Sequence, residues 1–155
     1  MTRLYKIPQS VLVVIHTADG QVLLLERADR AGFWQSVTGS LDFEDEPARQ
    51  AAMREVAEET GIQVGTADVP ELCLTDWQQQ NEYEIFPVWR HRYAPGVTHN
   101  TEHVWGLCLP QPINPVLAPR EHLSYVWLPW QQAAECCFSP SNAEAIRQLP
   151  QRLVH

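Results

Sequence analysis

Apolar, β-branched runs alternate with short turn-forming segments near the start of the chain. The runs SVLVVIHT (10–17) and QVLLLER (21–27) are separated by Ala-Asp-Gly. Two such runs joined through an Asp-Gly turn are typical of a β-hairpin. The segment WQSVTGS (34–40) predicts another short strand, which enters a turn that contains glycine and serine.

A helical segment is predicted after the acidic loop LDFEDE (41–46). Pro47 suits the first turn of a helix, where its missing N–H costs nothing. Residues 47–60, PARQAAMREVAEET, are helical by composition. Gly61 is the predicted C-terminal cap, because glycine adopts the left-handed conformation that ends many helices.

The second half of the chain alternates strand-like and loop-like segments. Strands are predicted at 71–77, 82–93, 102–109 and 124–128, and helices at 130–136 and 141–149. Ser141 and Glu144 have the spacing of a capping box. Alternation along 82–93 places Arg90 and Arg92 on one face, where they meet phosphate or pair with acids. The pattern predicts a single α+β domain with a mixed sheet over residues 1–155.

Composition narrows the possible functions. A net charge of −8 argues against non-specific binding to nucleic acid. The four cysteines show no zinc-binding spacing and are expected to be free thiols. The N-terminus has no apolar signal core, and no run approaches the roughly 18 apolar residues of a membrane span. We therefore expect a soluble cytosolic protein, while its oligomeric state is not readable from the sequence.

Acidic residues are concentrated in one region. Seven of the 19 lie within 18 positions: Asp42, Glu44, Asp45, Glu46, Glu55, Glu58 and Glu59. The last three fall within an arc of roughly 100° on a helical wheel, and no basic residue follows them at helical spacing. Clustered carboxylates suit Mg²⁺ or Mn²⁺, which share their coordination shell with substrate phosphates. The alternative is an ordinary solvated acidic face.

This region resembles the Nudix box, the signature of the Nudix hydrolases. That pattern runs Gly, five residues, Glu, seven residues, then Arg-Glu-apolar-any-Glu-Glu-any-Gly-apolar. The match is complete from Glu46 through REVAEETGI (54–62). One departure precedes it: Gly39 lies one residue too far from Glu46, and Ser40 occupies the expected glycine position. The resemblance implies a mixed sheet between helices and the hydrolysis of a substituted diphosphate.

The resemblance also implies roles for particular residues. Glu55 and Glu59 would bind metal, with Glu58 as a further ligand or base, and Arg54 would orient a carboxylate. The longer loop leaves the contribution of Glu46 open. The segment 120–133 resembles one that follows the box in many family members. It makes Glu121 the leading candidate for general base or additional metal ligand, with Glu102 as the second candidate for the base.

Segments outside the box resemble the branch of the family that cleaves dihydroneopterin triphosphate into the monophosphate and pyrophosphate. They are YKIP (5–8), FWQSVTGS (33–40), YEIF (83–86), RHRYAPGV (90–97), NTE (100–102) and EHLSYVWL (121–128). By position, the candidate substrate contacts are Lys6, Arg27, Thr38, Tyr83, Glu84, Ile85, Phe86 and Ser139. The aromatic and apolar members suit a slot for a bicyclic ring, although each is also compatible with a structural role.

Two alternatives stay open at this point. One is a Nudix hydrolase of nucleoside triphosphates, including oxidised purine nucleotides, because a purine and a pterin present similar hydrogen-bonding edges. The other is a non-catalytic Nudix domain that senses a nucleotide. That reading predicts the loss of carboxylates from the box, whereas all three helix glutamates are present.

Overall fold

A seven-stranded mixed sheet organises the computed structural model, which describes residues 5–153. Its strands are β1 (Gln9–Thr17), β2 (Gln21–Arg27), β3 (Trp34–Gln35), β4 (Val37–Ser40), β5 (Leu74–Glu84), β6 (His99–Leu109) and β7 (His122–Pro129). The main path runs β3-β2-β1-β6-β5, with β4 paired to β1 and β7 paired to β2. The β1–β6 pair is parallel, whereas the other pairs are antiparallel.

Helices cover both faces of the sheet. They are α1 (Ala48–Thr60), α2 (Trp130–Cys136), α3 (Pro140–Arg147) and α4 (Leu149–Leu153), with 3-10 helices at Glu71–Cys73 and Pro87–Arg92. Gly61 ends α1 in the left-handed conformation at φ 79°, and its N–H donates to the carbonyl of Ala57. The α+β class and the mixed sheet between helices agree with the sequence prediction.

Strand β1 is apolar along nearly its whole length because both of its faces are covered. Val11 and Val13 belong to the core cluster that includes Val56 of α1. Leu12 and Val14 alternate with them and join the opposite cluster, which includes Ile146 of α3. A strand buried on both faces shows a continuous apolar run instead of alternation.

The hairpin prediction is confirmed. Strands β1 and β2 are antiparallel, with His16 opposite Val22. Gly20 occupies the turn at φ 87°, a conformation that glycine adopts without steric cost.

The predicted strand over 82–93 is wrong in its second half. Strand β5 ends at Glu84, and residues 87–92 form a 3-10 helix that begins with Pro87. Proline cannot donate to a sheet ladder, so it ends the strand pattern. Arg90 and Arg92 therefore do not share a strand face: Arg90 pairs with Glu84 at 2.6 Å, and Arg92 lies 3.6 Å from Asp29.

The predicted capping box is also wrong. Helix α3 begins one residue earlier than expected, with Pro140 in its first turn. Ser139 is the cap and accepts from the backbone N–H of Asn142 at 3.4 Å. Ser141 instead donates to the carboxylate of Glu102.

None of the helices between residues 5 and 153 combines the length and apolar character that a membrane crossing requires.

Candidate active site

Two adjoining cavities open at one end of the sheet. The first, which we call the acidic cavity, has a volume of about 630 Å³. Its acidic lining residues are Asp29, Asp42, Glu55, Glu59 and Glu121. Helix α1 supplies two of these carboxylates, and the turn that precedes β7 supplies Glu121.

Glu59 is the most buried carboxyl of the acidic cavity, with 1% of its surface exposed. Burial, reinforced by the neighbouring Glu55, raises the pKa of Glu59 well above its usual value. Its Oε1 atom has no hydrogen-bond partner. The closest basic nitrogen, Nε2 of His122, lies 3.6 Å away. Burial lowers the pKa of His122 to about 4, so this histidine is neutral at pH 7 and does not offset the charge.

Glu55 lies against the backbone of β4. A Cβ atom added at Gly39 would lie 2.1 Å from its Cδ atom, so only glycine leaves room for this carboxylate. Nη1 of Arg54 donates to Oε1 of Glu55 at 2.7 Å. Burial raises the pKa of Glu55, although Arg54 partly offsets that effect.

Arg54 is held by a set of oxygen acceptors. Its Nη2 atom donates to Glu46 at 3.0 Å and to the carbonyl of Ser40 at 3.3 Å, and its Nε atom lies 3.2 Å from Asp42. Burial opposes the charged form, but the hydrogen bonds and charges of Glu46 and Glu55 raise the pKa of Arg54 overall. The guanidinium is therefore fixed beside Glu55.

The extra residue between Gly39 and Glu46 does not displace the box. Glu46 is 4% exposed, and it accepts hydrogen bonds from Arg54 and from the backbone N–H of Asp42. The additional length lies in an outward turn, closed by a bond from the Glu46 N–H to the carbonyl of exposed Phe43. The longer loop therefore retains both a glycine beside Glu55 and a glutamate beside Arg54.

Two of the predicted carboxylates are more exposed. Glu121 is exposed within the acidic cavity. Its turn is held to the end of β2 by a hydrogen bond of 2.9 Å from the Ala28 N–H to the backbone carbonyl of Glu121. The Glu58 side chain is 53% exposed and lies outside the lining, 3.7 Å from Arg54. Within residues 5–153, no three acidic, histidine or cysteine side chains form a pre-assembled metal cluster.

The acidic cavity nevertheless fits a divalent cation. It contains a buried carboxylate oxygen without a partner, on Glu59, and a second carboxylate for which Gly39 makes room. Hard oxygen ligands of this kind suit Mg²⁺ or Mn²⁺, which retain several waters and need few protein ligands. Glu55 and Glu59 could hold such an ion.

The second cavity, which we call the aromatic cavity, has a volume of about 450 Å³. Phe86 and Trp89 stack with ring centroids 5.2 Å apart, and Phe138 meets both rings edge-on. All eight predicted substrate contacts line it: Lys6, Arg27, Thr38, Tyr83, Glu84, Ile85, Phe86 and Ser139. Glu102 also lies here, not in the acidic cavity.

The two cavities share one wall, which carries three basic residues. Lys6, Arg27 and Arg92 line both cavities, and we call them the basic junction. Burial and the two neighbouring arginines lower the pKa of Lys6. Arg27 is positioned by Asp29 at 2.7 Å and by the face of Trp89 at 4.6 Å. The basic junction thus places positive charge between the aromatic rings and the carboxylates, where it could bind phosphate groups.

Sequence reasoning misses two aromatic lining residues. It places Trp89 in a strand and gives Phe138 no role, although both line the aromatic cavity. Arg92, predicted to meet phosphate or pair with acids, also lines this cavity. A proline directly after YEIF was the available signal that the strand stops and its side chains turn inward.

Carboxylates beside a basic wall, on a mixed sheet, define a hydrolase site suited to phosphates. Similarity to known proteins identifies the family. The profile of the NUDIX domain matches residues 6–149, so the chain belongs to the Nudix family. It is similar to the dihydroneopterin triphosphate diphosphatase of Escherichia coli strain K12, with 50% identity over 95% of both chains. The corresponding enzyme of Haemophilus influenzae is 43% identical, over 93% of this chain and 88% of the relative.

A solved structure of such an enzyme shows the same similarity in three dimensions. The E. coli dihydroneopterin triphosphate pyrophosphohydrolase superposes with a TM-score of 0.85 at 49% identity, and the match covers 97% of this chain and 99% of that one. The chain is thus a hydrolase of phosphorus-containing acid anhydrides that acts on a small molecule. Enzymes of this family generally need a divalent metal ion.

Proposed function

We propose that this chain is a Mg²⁺-dependent pyrophosphohydrolase that cleaves dihydroneopterin triphosphate into dihydroneopterin monophosphate and pyrophosphate, with Mn²⁺ as a substitute ion. The observation that carries the proposal is that the aromatic cavity and the acidic cavity are adjacent and share the basic junction. The aromatic cavity, which is large enough for a bicyclic ring, adjoins the acidic cavity along the basic junction. Full-length similarity to diphosphatases of this substrate supports the same assignment.

Glu55 and Glu59 are the proposed metal ligands. Bound Mg²⁺ would offset phosphate charge and make a water molecule more acidic. Arg54 orients Glu55 through its 2.7 Å hydrogen bond and is itself held by Glu46. Glu58 projects outward beside Arg54. We therefore propose it only as a secondary candidate for a further metal ligand or base.

Glu121 is the proposed general base. It is exposed to solvent in the acidic cavity, and its turn is fixed to the end of β2. It can therefore accept a proton from an attacking water and release it to solvent. Glu102 lies in the aromatic cavity, which makes it the weaker candidate for this step.

The remaining candidates are proposed to bind the substrate. Tyr83, Ile85 and Phe86 contribute to a slot for the flat ring, with Thr38, Glu84 and Ser139 on its walls. Lys6 and Arg27, from the basic junction, contact the phosphates. Charged hydrogen bonds to phosphate oxygens are shorter and stronger than neutral ones.

The test measures pyrophosphate release from dihydroneopterin triphosphate and from a panel of nucleoside triphosphates, with and without Mg²⁺. We expect the highest kcat/KM for the pterin. Glu59→Gln should lower kcat at least about 100-fold, whereas Glu144→Gln, which removes an exposed carboxylate on α3, should not.

Each contrary result has a distinct meaning. A higher kcat/KM for a nucleotide would replace the pterin assignment with the nucleotide hydrolase. No metal-dependent release from any substrate would favour a non-catalytic sensing domain. Undiminished turnover by Glu59→Gln would refute the assignment of the metal ligands.

A further inference from the structure

Two buried polar side chains on β6 line the aromatic cavity. Asn100 is 2% exposed and Glu102 is 4% exposed. They are two residues apart on one strand, so they project from the same face of the sheet. Burying a carboxylate is costly unless partners replace the lost water.

Their hydrogen bonds leave acceptors unmatched. Asn81 and Ser141 both donate to Oε1 of Glu102, at 3.4 and 3.1 Å. Within the described part of the chain, residues 5–153, no side chain donates to its Oε2 atom. Asn100 donates to Ser10 and Tyr83, whereas its buried Oδ1 atom has no partner.

This set lacks a donor. The Ser10 and Tyr83 hydroxyls accept from the Asn100 amide, and Asn81 and Ser141 donate only to Oε1 of Glu102. Among residues 5–153, no donor therefore reaches the Asn100 carbonyl or Oε2 of Glu102. Buried acceptors without partners destabilise a protein, and a ligand that supplies N–H groups would remove that cost. The lining therefore favours a ring with adjacent N–H donors.

We infer that Glu102 is the residue that selects the ring of the substrate. Its carboxylate accepts from the exocyclic 2-amino group and the adjacent ring N–H of a 2-amino-4-oxopyrimidine edge, and the Asn100 carbonyl lies beside it as a further acceptor. A carboxylate suits this edge because both of its oxygens are acceptors, and they can receive two parallel donors. This inference rests on the proposed function, since dihydroneopterin carries that edge.

The same chemistry predicts which rings are rejected. Guanine presents the same pair of donors, an amino group and an adjacent ring N–H. Adenine places a ring nitrogen acceptor where the second donor would be, and two facing acceptors repel each other. Sites built to hydrogen-bond a substrate discriminate strongly against analogues that leave their buried groups unpaired. Among nucleotides, guanine should therefore be preferred to adenine.

Glu102→Gln is the decisive variant because it keeps the shape of the side chain but replaces one acceptor with a donor. Removing a hydrogen bond to a charged group should weaken binding of phosphate-free 7,8-dihydroneopterin roughly 10- to 100-fold, measured by fluorescence titration. The ratio of kcat/KM for GTP to that for ATP should fall by a similar factor. That ratio does not depend on the fraction of folded protein.

Glu82→Gln is the matched control, since it removes an exposed carboxylate from β5 outside both cavities. It should leave the titration and the ratio unchanged. If the wild type cleaves dihydroneopterin triphosphate but Glu102→Gln binds dihydroneopterin equally well, the inference is wrong and the proposed function stands. If the wild type does not cleave that substrate, the proposed function fails, and the GTP-to-ATP ratio of the two proteins decides the inference.

Discussion

Each carboxylate near the site behaves according to its surroundings. Glu59 and Glu55 are buried against β4, and burial raises the pKa of both. Glu58, one residue before Glu59, points outward beside Arg54. The helix tolerates neighbouring negative charges because Arg54 neutralises part of them and because two of them line a cavity suited to a cation.

Gly39→Ala tests the close approach of Glu55 to β4. The new Cβ would lie 2.1 Å from the Glu55 carboxyl carbon, so this carboxylate must move. A displacement of about 1 Å at a catalytic centre costs on the order of 100-fold in rate, so we expect kcat to fall by about that factor. Steady-state kinetics at saturating Mg²⁺ measures it.

Gly106→Ala serves as the contrast to that variant. Its Cβ would lie 2.4 Å from Nε1 of Trp77, in the core and away from the acidic cavity. It should lower the Tm while kcat per folded molecule is retained. An unchanged kcat in Gly39→Ala would show that Glu55 does not need its present position.

Glu102 gives a pH-dependent contribution to stability. Burial raises its pKa in the folded protein above the ordinary value of 4.5. The stabilising contribution of the protonated group is complete below pH 4.5 and is lost as the pH rises through the raised value. Glu102→Gln should therefore match the wild type near pH 4 and become the more stable protein toward pH 7. Urea unfolding at several pH values measures this difference, and a gap that is constant with pH would contradict it.

Strand β5 shows how one element adapts to the sheet. Its register against β6 shifts between Asp76 and Gln79, and Gln78 in the bulge has a φ of 56°. The Asp76 carboxylate accepts from the Gln78 N–H at 2.8 Å and holds the irregular backbone. Elements near functional cavities often contain bulges that redirect side chains.

Gln78→Gly tests the strain in that bulge. A residue other than glycine costs about 1 to 2 kcal/mol in the left-handed region, so the substitution should raise the free energy of unfolding by up to about 1 kcal/mol after the entropy of glycine is counted. Gln80→Gly, at another exposed position of β5, should be destabilising. Chemical denaturation of both variants measures the difference. Equal losses in both would mean that Gln78 is not strained.

At the scale of the whole molecule, the site depends on segments that are distant in sequence. Lys6 precedes β1, Arg27 ends β2, and Arg92 ends the 3-10 helix, yet all three line both cavities. The helices α2 and α3 bring Phe138 and Ser139 to the same opening. The net charge of −8 makes this local positive charge more important for a polyphosphate substrate.

Arg92→Ala tests the basic junction. Loss of a charged hydrogen bond to phosphate should raise KM roughly tenfold or more, with a smaller effect on kcat. Added salt should reduce the difference between wild type and variant, because exposed charges are screened. Arg147→Ala, which removes an exposed charge on α3, is the control. An unaltered KM in Arg92→Ala would place the phosphates elsewhere.

The sequence by itself determined the local structure and the family. Strands β1 and β2, helix α1 with its Gly61 cap, and the Glu55–Glu59 spacing all follow from local periodicity, turn residues and a contiguous motif. These features depend on near neighbours, so they can be predicted from a short window. The end of β5 at Glu84 and the Ser139 cap are missed, because the strand-like run continues beyond Pro87 and Ser141 has capping-box spacing with Glu144.

Only the tertiary structure decided which side chains share a cavity. Burial separated Glu59 from Glu58, the packing of β4 explained Gly39, and the parallel β1–β6 pairing carried Asn100 and Glu102 to the aromatic cavity. These relations join residues far apart in the chain. The physical reason is that desolvation and hydrogen-bond satisfaction depend on the whole enclosure of a group, which no local window of sequence contains.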